Sequence, residues 1–104
     1  MKKTDTVISQ LPGDEIVEGM SNFFSLLGDP TRLKIVIALK YSELCVHEIS
    51  EVIVLSISAV SHQLKLLRTS KMVKMRRDGR HIYYSLDDHH IDALISVANE
   101  HVQE

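Results

Sequence analysis

Four side chains near the C-terminus, Asp88, His90, His101 and Glu104, are the groups in this sequence best suited to hold a metal ion. Placed on one helix, His90 and His101 fall within ~20° of each other around the axis but ~16 Å apart along it, so one helix cannot close them on a single ion. Two copies of that helix, paired antiparallel about a two-fold axis, bring Asp88 and His90 of one chain to His101 and Glu104 of the other and make two equivalent sites per dimer. His101 and Glu104 share a face at i, i+3, and Asp88 turns towards His90 if it occupies the non-helical cap. Two imidazoles and two carboxylates in a closed set suit tetrahedral Zn²⁺, or Co²⁺. Four protein ligands leave no open position for a hydrolytic water, which argues against an enzyme. A solvated tail containing His and Glu meets the same spacing, and spacing alone leaves both readings open.

A second chemistry lies in Ser56 to Arg68. Val60, Leu64 and Leu67 recur at i, i+4, i+7 and make an apolar stripe, while Ser58, Ser61, His62, Lys65 and Arg68 run along another side of the same helix. Ser56 is a good N-cap. Small hydroxyls and an imidazole followed by cations fit a helix that reads base edges near its N-terminus and holds phosphates further on.

These residues need elements to position them. Residues 1 to 13 are polar, end on Pro12-Gly13, and read as a mobile arm; residues 14 to 104 read as the folded domain. Asp14 is expected to cap a helix whose Ile16, Met20, Phe23 and Leu27 form a core stripe with Val17 and Phe24 beside it. Gly28-Asp29-Pro30 stops that helix and opens the next, with Asp29 as N-cap and proline at the first helical position. The helix to about Lys40 is apolar on most sides and therefore central. Glu43 to Val46 reads as a short edge strand, and Val46, Ile49, Val52 and Ile53 as a helix of two to three turns. Joined through Val54-Leu55-Ser56 to the polar-faced helix, it makes a helix-turn-helix.

Lys71 to Arg77 and Arg80 to Leu86 read as two strands around Asp78-Gly79, a turn expected to need φ > 0 at both positions. In them Val73 and Met75 alternate with Lys74 and Arg76. A basic-tipped hairpin after a helix-turn-helix is a winged helix, and arginines crowded at one tip call for a polyanion. Asp87 to Glu104 form the last helix, with Ile91, Leu94, Ile95, Ala98 and Val102 on its apolar side. The fold expected is mainly α with a small β-hairpin, paired as a homodimer through its first and last helices.

Composition is consistent with this. The chain has 104 residues and a net charge of only -2, yet Lys65, Arg68, Lys71, Lys74, Arg76, Arg77 and Arg80 face Asp78 alone between residues 61 and 85. Beyond residue 86 the charged side chains are all carboxylates. That asymmetry fits a nucleic-acid footprint beside a cation site. One cysteine, Cys45, excludes an intrachain disulfide and a four-thiolate zinc site within one chain. No apolar run approaches the ~20 residues that span a bilayer, and nothing at the start resembles a signal peptide, so a cytoplasmic protein is expected.

The runs Leu27-Gly28-Asp29-Pro30-Thr31-Arg32-Leu33, Glu43-Leu44-Cys45-Val46, Ser58-Ala59-Val60-Ser61-His62-Gln63-Leu64, Gly79-Arg80-His81-Ile82-Tyr83-Tyr84 and Asp88-His89-His90 together resemble the ArsR/SmtB family of metal-responsive winged-helix repressors. The similarity runs from about Met20 to the last residue. It implies a homodimer that binds operator DNA without metal and leaves it on binding metal, so that efflux or sequestration genes are derepressed. The ligand pattern of the zinc- and cobalt-sensing branch falls here on Asp88, His90, His101 and Glu104. The resemblance also implies that metal-bound His101 donates its other N–H to the carbonyl just after the recognition helix, here Lys71. Ser58, Ser61, His62 and Gln63 are then expected in the major groove of double-stranded DNA, and Lys65, Arg77 and Arg80 on the backbone. No membrane and no small-molecule substrate is implied.

Departures from the family's pattern define the rivals. The thiolate branches carry Cys-x-Cys at the short strand and further ligands in the arm; this chain has Cys45-x-His47 and an arm without Cys or His. A repressor sensing thiophilic metal, arsenite or redox state at Cys45 and His47 is one alternative, and a metal-buffering or protein-binding dimer that never meets DNA is another. The helix-turn-helix turn is Val54, poorly suited to φ > 0, so either the turn is strained or the helix before it runs on. Ile57, usually polar in relatives, offers only an apolar group, which reads a thymine methyl or packs on its own chain.

Overall fold

Ile35, Val36, Ile49, Val60, Leu64, Leu67, Met72 and Val73 are fully buried, and the elements that carry them enclose one core. A computed structural model describes residues 2–104, in the order α1 (Lys3–Gln10), α2 (Asp14–Leu27), α3 (Pro30–Tyr41), β1 (Leu44–Cys45), α4 (Val46–Ile53), α5 (Ile57–Thr69), β2 (Val73–Asp78), β3 (His81–Leu86) and α6 (His89–Val102). Caps set the starts of the functional helices. Asp29 Oδ2 accepts the Arg32 N–H at 2.9 Å, Ser56 Oγ accepts the Ala59 N–H at 3.1 Å, and Asp88 Oδ1 accepts the His90 N–H at 2.8 Å. Each such cap is worth ~1 kcal/mol. Gly28 is not left-handed; a Cβ there would lie 3.3 Å from the carbonyl oxygens of Phe24 and Ser25, so glycine permits the tight exit from α2.

Four expectations need correction. Residues 3–10 of the stretch read as an arm are helical, with the Asp5 carboxylate accepting the Lys2 N–H at 3.3 Å; Met1 lies outside the described residues. Asp14 is the first residue of α2 and Gly13 its cap, which puts the aspartate at the positive end of the helix dipole. The α2 stripe is core only at its C-terminal end. Leu27 is buried and Phe23 packs on the core, whereas Ile16, Val17, Met20 and Phe24 are exposed, because α2 borders an open groove towards α6 instead of packing closely on it. The chain measures 61 × 32 × 21 Å with a radius of gyration of 16.9 Å, against ~13 Å for a compact chain of this length.

The fourth correction concerns the hairpin. The sheet is antiparallel in the order β1-β3-β2, with Leu44 opposite Tyr84 and Asp78 opposite His81. The two-residue turn is therefore Gly79-Arg80, and only Gly79 has positive φ, +63°. Positive φ at the first central residue is the type II′ pattern. Beyond Val73 the strand β2 is exposed on both faces, Met75 included, because the wing extends past the core.

Candidate nucleic-acid interface and metal ligands

α4 and α5 meet at 109° across a short break, within the range of a helix-turn-helix. The break is strained rather than helical: Val54 sits in the left-handed region at φ 58°, ψ 54°, a conformation unfavourable for a β-branched side chain. Ser50 Oγ donates to the Leu55 carbonyl, and the Leu55 N–H returns to the Ser50 carbonyl at 3.2 Å, which locks the turn. α5 buries Val60, Leu64 and Leu67 as its stripe requires and leaves Ser58, Ser61, His62, Lys65 and Arg68 exposed.

Gln63 departs from the expected reading face. It is half-buried, and its Oε1 accepts Arg32 Nη1 at 3.3 Å while Arg32 Nε donates to the Leu26 carbonyl at 2.8 Å. Val60, Gln63 and Leu67 recur at i, i+3, i+7, so Gln63 belongs to the inner flank of the helix. The pair ties the corner between α2 and α3 to α5. In sequence Arg32 had shown itself only as part of the resemblance; no local pattern marks its partner.

The wing divides its arginines. Arg76 is held by Glu43 through contacts of 2.6 and 2.9 Å, lies 4.9 Å from the Tyr83 ring centre and 3.8 Å from Asp78. That guanidinium holds the Glu43 carboxyl below its usual range. Arg77 and Arg80 are exposed and make no ion pair among the described residues, so their charge is available to phosphates. Arg68 reaches back from α5 to the Met75 sulfur at 2.9 Å.

The four candidate ligands occupy opposite ends of α6 as two exposed pairs. Asp88 Oδ1 lies 3.2 Å from His90 Nδ1, and His101 Nδ1 lies 3.5 Å from Glu104 Oε2. The backbone N–H of His90 holds the Asp88 carboxyl below the usual aspartate range. Among the described residues no three His, Cys, Asp or Glu side chains of the single chain gather closely enough to hold an ion. Lys71, with φ 59°, follows α5 and shares a groove with Asp88, His90, Met20, Phe24 and Leu94. Lys40 pairs with Asp92 at 2.9 Å and fixes α6 to α3, an ion pair that periodicity did not signal. Cys45 is half-buried as the cap residue of α4, its N–H donating to Glu48 at 2.9 Å, and His47 is exposed.

Residues 29–74 match the family model described as "Bacterial regulatory protein, arsR family". The chain is 48% identical over 85 residues to the "Transcriptional repressor SmtB homolog" of Synechocystis, an alignment covering 82% of this chain and 64% of that protein. It thus spans just under two thirds of that relative's length. It is 38% identical to the "Cadmium resistance transcriptional regulatory protein CadC homolog" of Staphylococcus aureus, over 82% of this chain and 71% of the relative. A homodimeric winged helix-turn-helix DNA-binding domain from Mycobacterium bovis superposes with a TM-score of 0.81 at 21% identity, covering 90% of each chain, which is a likeness of fold.

Proposed function

Because the chain belongs to the ArsR family of bacterial regulatory proteins, we propose that it is a homodimeric, zinc-responsive transcriptional repressor, acting in the cytoplasm on operator DNA and released by Zn²⁺ or Co²⁺. The observation that carries this reading is the pairing of ligands on α6. Asp88 with His90, and His101 with Glu104, are each within 3.5 Å, exposed, and at opposite ends of one helix. Antiparallel pairing of α6 with its copy completes the set, Asp88 and His90 meeting the partner's His101 and the partner's Glu104. Two imidazoles and two carboxylates match the donors zinc accepts in a closed tetrahedral site.

The exposed apolar residues Ile16, Val17, Met20 and Phe24 on α2 and Val97 and Val102 on α6 supply a surface for the pairing. On DNA, Ser58, Ser61 and His62 read base edges, and Lys65, Arg77 and Arg80 hold phosphates. Lys71 connects the two functions. It shares its groove with Asp88 and His90, so the partner's His101, on reaching that half-site, comes beside the residue that follows the recognition helix and its cap. An N–H of the partner's His101 donated to the Lys71 carbonyl favours a dimer geometry whose recognition helices no longer match successive major grooves, a coupling of ~1 to 3 kcal/mol.

Titration of a labelled operator-like duplex with and without Zn²⁺ tests this. Wild-type protein binds, and zinc releases it; His101→Ala binds DNA but loses both tight zinc binding and release, while Glu104→Gln lowers zinc affinity and keeps the response. Release of His101→Ala at wild-type zinc concentrations would remove the paired-helix site as the sensor.

A further inference from the structure

The leading end of the recognition helix is apolar and unpacked. Ile57, the first residue of α5, is 44% exposed, beside Val54 at 84% and Leu55 at 37%. Ile57 is not among the side chains packed on the core, which α5 reaches only from Val60 onward. It stands four residues before Ser61, next to Ser58, and so borders the exposed polar side of the helix. An isoleucine open to water at the end that meets base edges gains only if something apolar meets it there. The apolar group on the floor of the major groove is the C5 methyl of thymine.

We propose that Ile57 is a specificity-determining residue that reads a thymine methyl, once in each half-site, so that the preferred operator carries an A·T pair at the dyad-related positions facing the start of α5. This rests on the DNA-reading function proposed above. Lys65, eight residues on and on the same side of the helix, is an exposed cation, as are Arg77 and Arg80 of the wing that follows α5; together they draw a polyanion, which favours duplex over an apolar protein partner. Ser58 and Ser61 leave the neighbouring contacts tolerant, since a hydroxyl both donates and accepts. The reading at Ile57 is thereby the sharpest that this end of the helix makes.

The test separates the methyl from everything else on the base. Wild-type protein selects a preferred duplex from a randomised pool, and each thymine of that duplex is then replaced in turn by deoxyuridine, which removes the methyl alone. Binding is measured by fluorescence anisotropy for wild type, Ile57→Ser and Ile57→Val, with thermal melting to show that both variants fold. One symmetric pair of positions is expected at which uracil weakens wild-type binding about fourfold per half-site, the value of one buried methyl. At those positions Ile57→Ser is indifferent to the methyl and Ile57→Val still senses it. If the selected duplex is preferred but wild type and Ile57→Ser respond alike at every thymine, the inference is overturned while the DNA-reading function stands. If the pool yields no preferred duplex at all, that function fails and the inference with it.

Discussion

Val54 is a residue whose side chain opposes its backbone. At φ 58° a left-handed conformation costs roughly 1–2 kcal/mol for an L-residue, and branching at Cβ adds to it, whereas glycine meets no such penalty. The side chain is 84% exposed and recovers little by burial. Val54→Gly is therefore expected to raise stability by ~1 kcal/mol in urea unfolding, after the extra chain entropy that glycine loses on folding. An unchanged or lower midpoint would show that the valine makes a compensating contact at this turn. Gln63 poses the opposite case, a polar side chain turned inward. Gln63→Ala leaves Arg32 Nη1 without its acceptor, although Nε keeps the Leu26 carbonyl, and is expected to cost ~1 kcal/mol of stability with operator preference preserved, whereas His62→Ala keeps stability and erodes preference. Chemical denaturation and competition against non-specific DNA resolve the two.

At the scale of elements, the wing is held by an ion pair that spans the sheet. Glu43, just before β1, reaches across β3 to Arg76 on β2, and Arg76 in turn covers the Tyr83 ring. Because the folded-state pKa of Glu43 is lowered, this contribution is fully present above the ordinary glutamate range and is lost as pH falls through the lowered value. Both partners are at the surface, so salt weakens the pair. Melting temperatures of wild type and Glu43→Gln are expected to differ at neutral pH and low salt and to converge in acid. A difference that persists in acid would assign the effect to shape rather than charge. The wing arginines thus differ in their surroundings: Arg76 is paired across the sheet, whereas Arg77 and Arg80 are exposed and make no ion pair among the described residues, as the proposed phosphate contacts require.

For the whole molecule, the exposed apolar residues of α1 and α2 are the surface on which the proposed pairing with a second copy depends. The short α1 with its cap residue Leu11, and α2, carry Val7, Ile8, Leu11, Ile16, Val17, Met20 and Phe24 in the open, and a helix as short as α1 is marginal in water without tertiary contacts. Met20 contributes nothing to the core, so Met20→Glu is expected to leave the fold intact, convert a dimer to a monomer in sedimentation equilibrium, and weaken binding to a palindromic duplex on the order of a hundredfold or more as the two half-sites lose their linkage. A Met20→Glu protein that stays dimeric and binds normally would place the interface elsewhere. Under the proposed zinc response, linkage adds a symmetric demand: zinc would bind free protein more tightly than the DNA complex by the factor with which it weakens DNA binding.

What the sequence determined by itself is what local chemistry encodes. The caps at Asp29 and Ser56, the buried stripe of α5, the edge strand at Cys45 and the hairpin glycine are each readable within a few residues, because helix and strand periods and φ preferences act over that range. The resemblance, carried by short runs spread along the chain, supplied the family. Tertiary structure decided which face of each element finds a partner. Gln63 turns to Arg32 and Arg76 to Glu43 across separations of 31 and 33 residues, distances over which no periodicity links one residue to another. It also chose between the two readings of Val54, since fixing α4 and α5 at 109° on a shared core forces the turn to be strained rather than helical. The α2 stripe shows this most clearly: an apolar period marks a face suited to burial, and only the arrangement of the other helices decides that, within this chain, most of it stays exposed.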